Sequence, residues 1–150
     1  MDINHAVAVR VVNLLRSHGY RAELLGELDP ALEEYEAAAF VALHADSCIP
    51  GLSGFKVARA EQSAVPEEED RLVDCLYAEY EEATGLSRHE GSITPDMLHY
   101  HTFRRIAPET PGAIIEMGFM ADDATILLEG QDLVAQGIVN GILCSLEGSD

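Results

Sequence analysis

Two short apolar segments, each ending on one ionisable side chain, constrain the fold of this chain more than any other feature. The first is Phe40–His44, which reads FVALH, and the second is Ala113–Glu116, which reads AIIE. Continuous apolar runs of this length are typical of strands that are covered on both faces. Open α/β sheets place their chemistry at the carboxyl ends of such strands. The sequence therefore predicts an α/β fold with His44 and Glu116 at strand ends.

The remaining segments alternate between helical and extended patterns, with no internal repeat and no linker. We predict a three-layer α/β sandwich, with a mostly parallel central sheet and helices on both faces, that forms a single domain over residues 1–150. The predicted helices cover residues 3–16, 66–84 and 132–146, and the predicted strands cover residues 20–25, 37–43, 55–59 and 112–116.

Composition and charge exclude several classes of partner. The chain has 150 residues and is 47% hydrophobic, which is enough for one domain with its own core. It carries 27 acidic and 9 basic residues, so nucleic acid and anionic membrane surfaces are poor partners. No apolar run approaches the length of a membrane helix, and residues 1–5 do not resemble a secretion signal. We therefore expect a soluble chain without membrane insertion.

The three cysteines do not form a metal-binding pattern. Cys48, Cys75 and Cys144 are widely spaced, and their odd number argues against a disulfide framework. Cys75 and Cys144 lie in helical apolar contexts, where we expect buried thiols. Cys48 lies close to His44 in sequence, so a Cys/His nucleophile is a weaker alternative.

His44 and Glu116 are the candidate catalytic pair. Small polar neighbours leave room for an ion beside His44, and Asp46 is placed to orient its imidazole. A carboxylate that closes an apolar strand is costly to bury unless it is paired, bound to metal or functional. Burial would raise the pKa of Glu116 and suit it to act as a general base. The structural alternative is an ion pair with Arg104 or Arg105.

These motifs resemble the catalytic domain of zinc-dependent N-acetylmuramoyl-L-alanine amidases (type 3). In that family one strand ends in Ser-(Ile/Leu)-His-Ala-(Asn/Asp), which Ala42–Asp46 resembles. A later Pro-Ala-(Val/Ile)-(Leu/Ile)-(Val/Ile)-Glu-x-Gly-Phe motif is similar to residues 111–119. The likeness continues through the first helix and strand, at residues 4–22, and through the closing helix, at residues 134–142.

The resemblance implies an activity and a site. It implies zinc-dependent hydrolysis of the amide between N-acetylmuramic acid and L-alanine in peptidoglycan, at the cell envelope or outside the cell. His44 would be a zinc ligand and Glu116 the catalytic carboxylate. The family's N-terminal strand and its Gly-His-Gly loop have no counterpart here, so we expect a domain truncated at its N-terminus.

The other zinc ligands stay open at this point. Asp2 and His5 lie near the head of the first helix, where the family has a glutamate ligand. His99 and His101 alternate along the chain and would share one face if that segment is extended. The alternative to an amidase is a non-catalytic relative that binds muropeptides or regulates a partner. A carboxypeptidase-like zinc enzyme is a third, weaker possibility.

Overall fold

A computed structural model describes residues 2–148 as eight regular elements around one small sheet. Short 3₁₀ segments at residues 30–32, 90–92 and 101–104 lie in the connections. The helices are α1 (Ile3–Ser17), α2 (Pro66–Thr84), α3 (Pro95–Leu98), α4 (Ala124–Glu129) and α5 (Gln131–Glu147), and the strands are β1 (Phe40–Asp46), β2 (Lys56–Ala58) and β3 (Gly112–Phe119).

The sheet is mixed rather than mostly parallel, which corrects the sequence-based expectation. Its strand order is β1-β3-β2. β1 runs parallel to β3, whereas β2 runs antiparallel to it. A parallel pair needs a crossover connection, and the chain between β1 and β3 supplies one that contains β2 and α2. The α/β class is therefore confirmed, and the parallel arrangement holds for one of the two strand pairs.

The strand predicted at residues 20–25 is absent from the part of the chain that the structure describes. Residues 20–26 form no regular element there. They lie across a cavity of about 420 Å³ from β1, and α1 and α5 contribute to its walls. Within residues 2–148, β1 pairs on one edge with β3 and has no strand on its other edge. The cavity separates residues 20–25 from β1, so this segment does not pair with the open edge of that strand.

The long helices pack on one face of the sheet. Their apolar side chains form the main core with every second residue of β3, namely Ala113, Ile115 and Met117. The opposite face carries a smaller core that includes Ala42, Ile114 and Met97. It is covered by α3 and the 101–104 turn rather than by a long helix, so the two outer layers are unequal.

Local signals in the sequence account for the helix ends. The Asp2 carboxylate accepts a hydrogen bond from His5 N at the start of α1. Pro66 opens α2, and acidic side chains at residues 67–69 fill its first turn. Gly85 ends α2 with a φ of 74°, a conformation that glycine adopts without strain. No helix among residues 2–148 is both long and apolar enough to cross a membrane.

A disulfide joins α2 to α5, contrary to the expectation of free thiols. Cys75 and Cys144 are bonded, with their Cα atoms 5.8 Å apart. Gly137 and Gly141 of α5 lie directly against Tyr80 and Leu76 of α2, so the two helix axes approach closely. This approach brings the two cysteines within bonding distance although they are 69 residues apart in sequence. Only Cys48 is a free cysteine among the described residues, and it is exposed.

One buried carboxylate fixes the carboxyl end of β3 to the segment that leads into β2. Asp123 is 4% exposed, and its Oδ2 atom accepts hydrogen bonds from Gly54 N and Phe119 N. Ser53 donates to the other oxygen. Asp123 therefore holds β2 and β3 together at the end of the sheet where Glu116 lies.

Candidate active site

His44 and Glu116 lie side by side on neighbouring strands. They are register partners in the parallel β1–β3 pair. Side chains that are opposite each other on paired strands point to the same face of a sheet. That face is the one with the smaller core, because Ile114 precedes Glu116 by two residues. The structure thus brings the imidazole and the carboxylate to one surface of the sheet.

A tyrosine hydroxyl links His44 to an acidic side chain. The Tyr100 hydroxyl donates to Glu27 Oε1 at 3.3 Å and lies 3.2 Å from His44 Nε2. We assign the proton between the last two atoms to His44 Nε2, since the hydroxyl hydrogen is already directed to Glu27. Nδ1 is then the unprotonated nitrogen of the His44 ring. Burial also lowers the pKa of His44, which favours the neutral ring.

Glu27 receives a second contact from a histidine. His101 Nε2 lies 3.1 Å from the same Glu27 oxygen. This hydrogen bond is the main cause that lowers the pKa of Glu27, so the carboxylate is ionised. Tyr100 is half-buried, and burial raises its pKa, so its hydroxyl stays protonated. The connected groups His44, Tyr100, Glu27 and His101 form what we call the tyrosine cluster.

Glu116 carries the largest shift toward neutrality among the site's acids. Its pKa is raised to about 7, mainly by burial and also by the negative charge of Asp46, while the positive charge of Lys56 opposes both effects. Its Oε2 atom is buried without a hydrogen-bond partner among the described residues. Arg105, one of the two arginines considered as partners, instead pairs with Glu33. Glu116 is therefore a carboxyl group that gains and loses a proton near neutral pH.

Asp46 contacts a lysine rather than His44, so its expected role in orienting the imidazole is not seen. Asp46 Oδ2 lies 2.8 Å from Lys56 Nζ. Its other oxygen accepts a hydrogen bond from Ser47 N. Lys56 is the β2 residue in register with Glu116, so it flanks the carboxylate on the side opposite His44. Glu116 thus lies between a histidine and a lysine on adjacent strands.

The other histidines and acids proposed from sequence lie in different places. Asp2 caps α1, where it accepts from His5 N. His99 pairs with Glu61 at the surface. His101 reaches the tyrosine cluster through Glu27. His89 is half-buried and contacts Ser92 and the ring of Phe119. Of these residues, only His101 joins the groups that contact His44.

Sequence reasoning missed three residues that shape the site. Lys56 and Tyr100 both lie in segments with an alternating pattern of side chains. The residues that they contact in the fold depend on strand register and on the path of the loop before β3, which the pattern does not predict. Glu27 lies in an acidic loop, where nothing in the sequence distinguishes it from its neighbours. A signal for Lys56 was present: it is the only lysine of the chain and falls inside an apolar strand pattern.

The described residues do not by themselves form a complete zinc site. A catalytic zinc takes three protein ligands and one water. Within residues 2–148, no group of three or more His, Cys, Asp or Glu side chains is arranged to hold a metal ion. His44 offers one ring nitrogen, and the Glu27 carboxylate is separated from the His44 ring by the Tyr100 hydroxyl.

Comparison with solved structures shows the fold. The CwlD amidase of Clostridioides difficile, solved in complex with the GerS lipoprotein, is 17% identical with a TM-score of 0.73 over 99% of this chain and 86% of that chain. The catalytic domain of the amidase CwlV from Bacillus (Paenibacillus) polymyxa var. colistinus is 22% identical, with a TM-score of 0.70 over 97% and 83%. The amidase Ami1 of Mycobacterium smegmatis is 20% identical, with a TM-score of 0.72 over 95% and 74%. No curated protein sequence matches this chain significantly.

These neighbours show that the chain has an α/β fold shared with solved amidase domains. The family model for N-acetylmuramoyl-L-alanine amidase (Amidase_3) matches residues 1–144, which is nearly the whole chain. The chain therefore belongs to the N-acetylmuramoyl-L-alanine amidase family. This enzyme class hydrolyses the amide between N-acetylmuramic acid and L-alanine in peptidoglycan. The resemblance seen in the sequence is thereby confirmed.

Proposed function

We propose that this chain performs the family's reaction on bacterial peptidoglycan with Glu116 as its catalytic carboxylate. The observation that supports this role most strongly is the buried, unpaired Oε2 atom of Glu116 beside His44. An unpaired buried carboxylate destabilises a fold, and its retention is explained if the group handles protons. Its pKa of about 7 matches the working range of a general base.

In the proposed reaction Glu116 moves one proton between two atoms. Ionised Glu116 takes a proton from water as the water oxygen bonds to the amide carbon. Protonated Glu116 then gives that proton to the departing nitrogen of L-alanine as the carbon–nitrogen bond breaks. The immediate products are a carboxylic acid on muramic acid and a peptide with a free amino group. The second proton of the water then passes from the acid to the amine, which gives a carboxylate and an ammonium group, so atoms and charge balance.

Zinc is the metal that family membership implies for this reaction, and we propose His44 as a ligand. Nδ1 of His44 is the unprotonated nitrogen of a neutral imidazole ring, and such nitrogens bind zinc. Because the described residues lack a complete ligand set, we derive no catalytic step through the metal. Metal analysis of the purified protein tests the proposal. We expect bound zinc in the wild type and less in His44→Ala, whereas equal content in both would exclude His44 as a ligand.

The disulfide supports action outside the cytoplasm. Disulfides persist in oxidising compartments and are rare in the reducing cytosol. The Cys75–Cys144 bond therefore suits an enzyme that works at the cell envelope or outside the cell, where its peptidoglycan substrate lies.

The test of the proposed function is amide cleavage by matched variants. Wild-type protein and Glu116→Gln are incubated with purified muropeptides, and newly exposed L-alanine amino groups are counted. We expect release by the wild type and a loss of at least roughly 100-fold in the variant, which cannot take up the proton. Muropeptide binding by both proteins without release by either would instead indicate the non-catalytic alternative.

A further inference from the structure

Lys56 is a buried cation beside the proposed catalytic carboxylate. It is 4% exposed and lies in antiparallel register with Glu116. An ammonium group loses its hydration on burial, which is costly unless protein oxygens replace the lost water. The oxygens that surround Lys56 Nζ therefore show what this lysine holds in place.

Three oxygen atoms from two other segments surround the ammonium group. Lys56 Nζ donates to Ser92 O at 2.6 Å and to Ser92 Oγ at 2.9 Å. Asp46 Oδ2 lies 2.8 Å away, as an ion contact from the end of β1. Both hydrogen bonds of the ammonium group thus go to Ser92, and Asp46 adds an ion contact. Lys56 thereby connects β2 to the end of β1 and to the 90–92 turn.

Lys56 contacts only one of the two acids beside it. Asp46 Oδ2 and Glu116 Oε2 are both buried without a hydrogen-bond partner among the described residues. Of the two, only Asp46 lies within ion-pair distance of Lys56 Nζ. Lys56 therefore fixes the position of Asp46 and leaves Glu116 without an ion-pair partner among the described residues.

We propose that Lys56 is a positioning residue for amide hydrolysis, which holds Asp46 and the 90–92 turn in place around Glu116. This role rests on the proposed amidase function. A purely structural lysine would affect how much protein is folded and leave the turnover of the folded fraction unchanged. A positioning lysine affects the turnover of the folded protein.

Kinetics of charge-matched variants separate these two roles. Lys56→Met leaves Asp46 without its cation, and we expect kcat on soluble muropeptides to fall roughly 10- to 100-fold while KM changes little. The double variant Asp46→Asn with Lys56→Met removes the anion together with the cation. We expect it to recover much of the lost kcat, because no uncompensated carboxylate is then left beside Glu116.

The matched control is Arg59→Met. Arg59 follows the same strand, and its ion pair with Asp70 lies at the surface. This variant also removes one positive charge, and we expect its kcat to equal that of the wild type. Circular dichroism at the assay temperature gives the folded fraction of each variant, so kcat is compared per folded molecule.

Chemical labelling supplies a readout that does not need activity. Lys56 is the only lysine, so an amine-acylating reagent has one side-chain target besides the amino terminus. We expect Lys56 to be protected in the folded wild type and more reactive in Asp46→Asn. Reaction of Lys56 at the rate of the amino terminus in the folded wild type would overturn the proposal, even if Lys56→Met fails to fold.

The outcomes distinguish this proposal from the function on which it rests. A wild type that releases no peptide refutes the amidase function and the Lys56 role together. A wild type that cleaves muropeptides while folded Lys56→Met keeps its kcat refutes the Lys56 role alone. A double variant no more active than Lys56→Met also refutes it.

Discussion

At the scale of single residues, the account depends on the buried carboxyl group of Glu116. A general base accepts a proton only when it is ionised. With a pKa of about 7 for Glu116, we expect kcat/KM to rise as the pH increases through about 7 and then to level off. A pH profile measured on soluble muropeptides checks this. A flat profile across that range would show that another group takes the proton.

Ionisation of Glu116 destabilises the folded protein, whereas ionisation of an acid held in an ion pair stabilises it. The pKa of Glu116 is about 7 in the folded protein, against an ordinary value of 4.5, so the folded state holds the proton more tightly. The contribution of Glu116 to the free energy of unfolding is therefore greatest below pH 4.5 and is lost as the pH rises through about 7. Thermal unfolding of Glu116→Gln should show a higher Tm than the wild type above this range. The advantage should disappear in acid.

Two residues of the site could be predicted from the sequence, and three could not. His44 and Glu116 were predicted because each ends an apolar strand, a pattern that depends on local sequence alone. Lys56, Tyr100 and Glu27 were missed because their positions beside those two residues arise from strand register and loop folding. Contacts between residues that are far apart in sequence leave no local pattern.

At the scale of elements, α2 and α5 pack closely because glycines of α5 lie directly against α2. A Cβ atom added at Gly141 would lie 2.7 Å from Leu76 Cδ2 and 2.9 Å from Leu76 Cα. We expect Gly141→Ala to lower the free energy of unfolding by about 1–3 kcal/mol, because the helices must move apart. Gly91→Ala, where the added atom meets nothing within 4 Å, is the control. Equal stability of the two variants in urea would contradict this packing.

The disulfide between the same helices gives a second prediction. It closes a segment of 69 residues, and its loss should cost about 2–4 kcal/mol of unfolding free energy. Urea unfolding of Cys75→Ala with Cys144→Ala checks this, with Cys48→Ser as the control because Cys48 is free and exposed. If the double variant is as stable as the control, the bond does not stabilise the folded protein.

The elements also show where periodicity is a reliable guide. The amphipathic pattern predicted α1 and α5 to within one or two residues, because helix contacts recur locally along the chain. The pattern at residues 20–25 predicted a strand that does not form, since a strand needs a paired neighbour. The disulfide was missed for a similar reason, because the approach of α2 to α5 depends on packing.

At the scale of the whole molecule, the net charge of −18 means that acidic side chains repel one another in the compact state. Added salt screens this repulsion over a Debye length that falls to about 3 Å at 1 M ionic strength. We expect the Tm to rise steadily with sodium chloride concentration. A falling Tm would mean that the surface ion pairs outweigh the repulsion between acidic side chains.

The most direct test of the central claim is to identify the bond that is cut and the atom that water supplies. Wild-type protein and Glu116→Gln are incubated with intact muropeptides in heavy-oxygen water, and the products are weighed by mass spectrometry. The account predicts one heavy oxygen in the new carboxyl group of muramic acid, none in the released peptide, and no product from the variant. Heavy oxygen in a peptide carboxyl group would show peptide-bond cleavage instead, and full activity of Glu116→Gln would remove this carboxylate from the reaction.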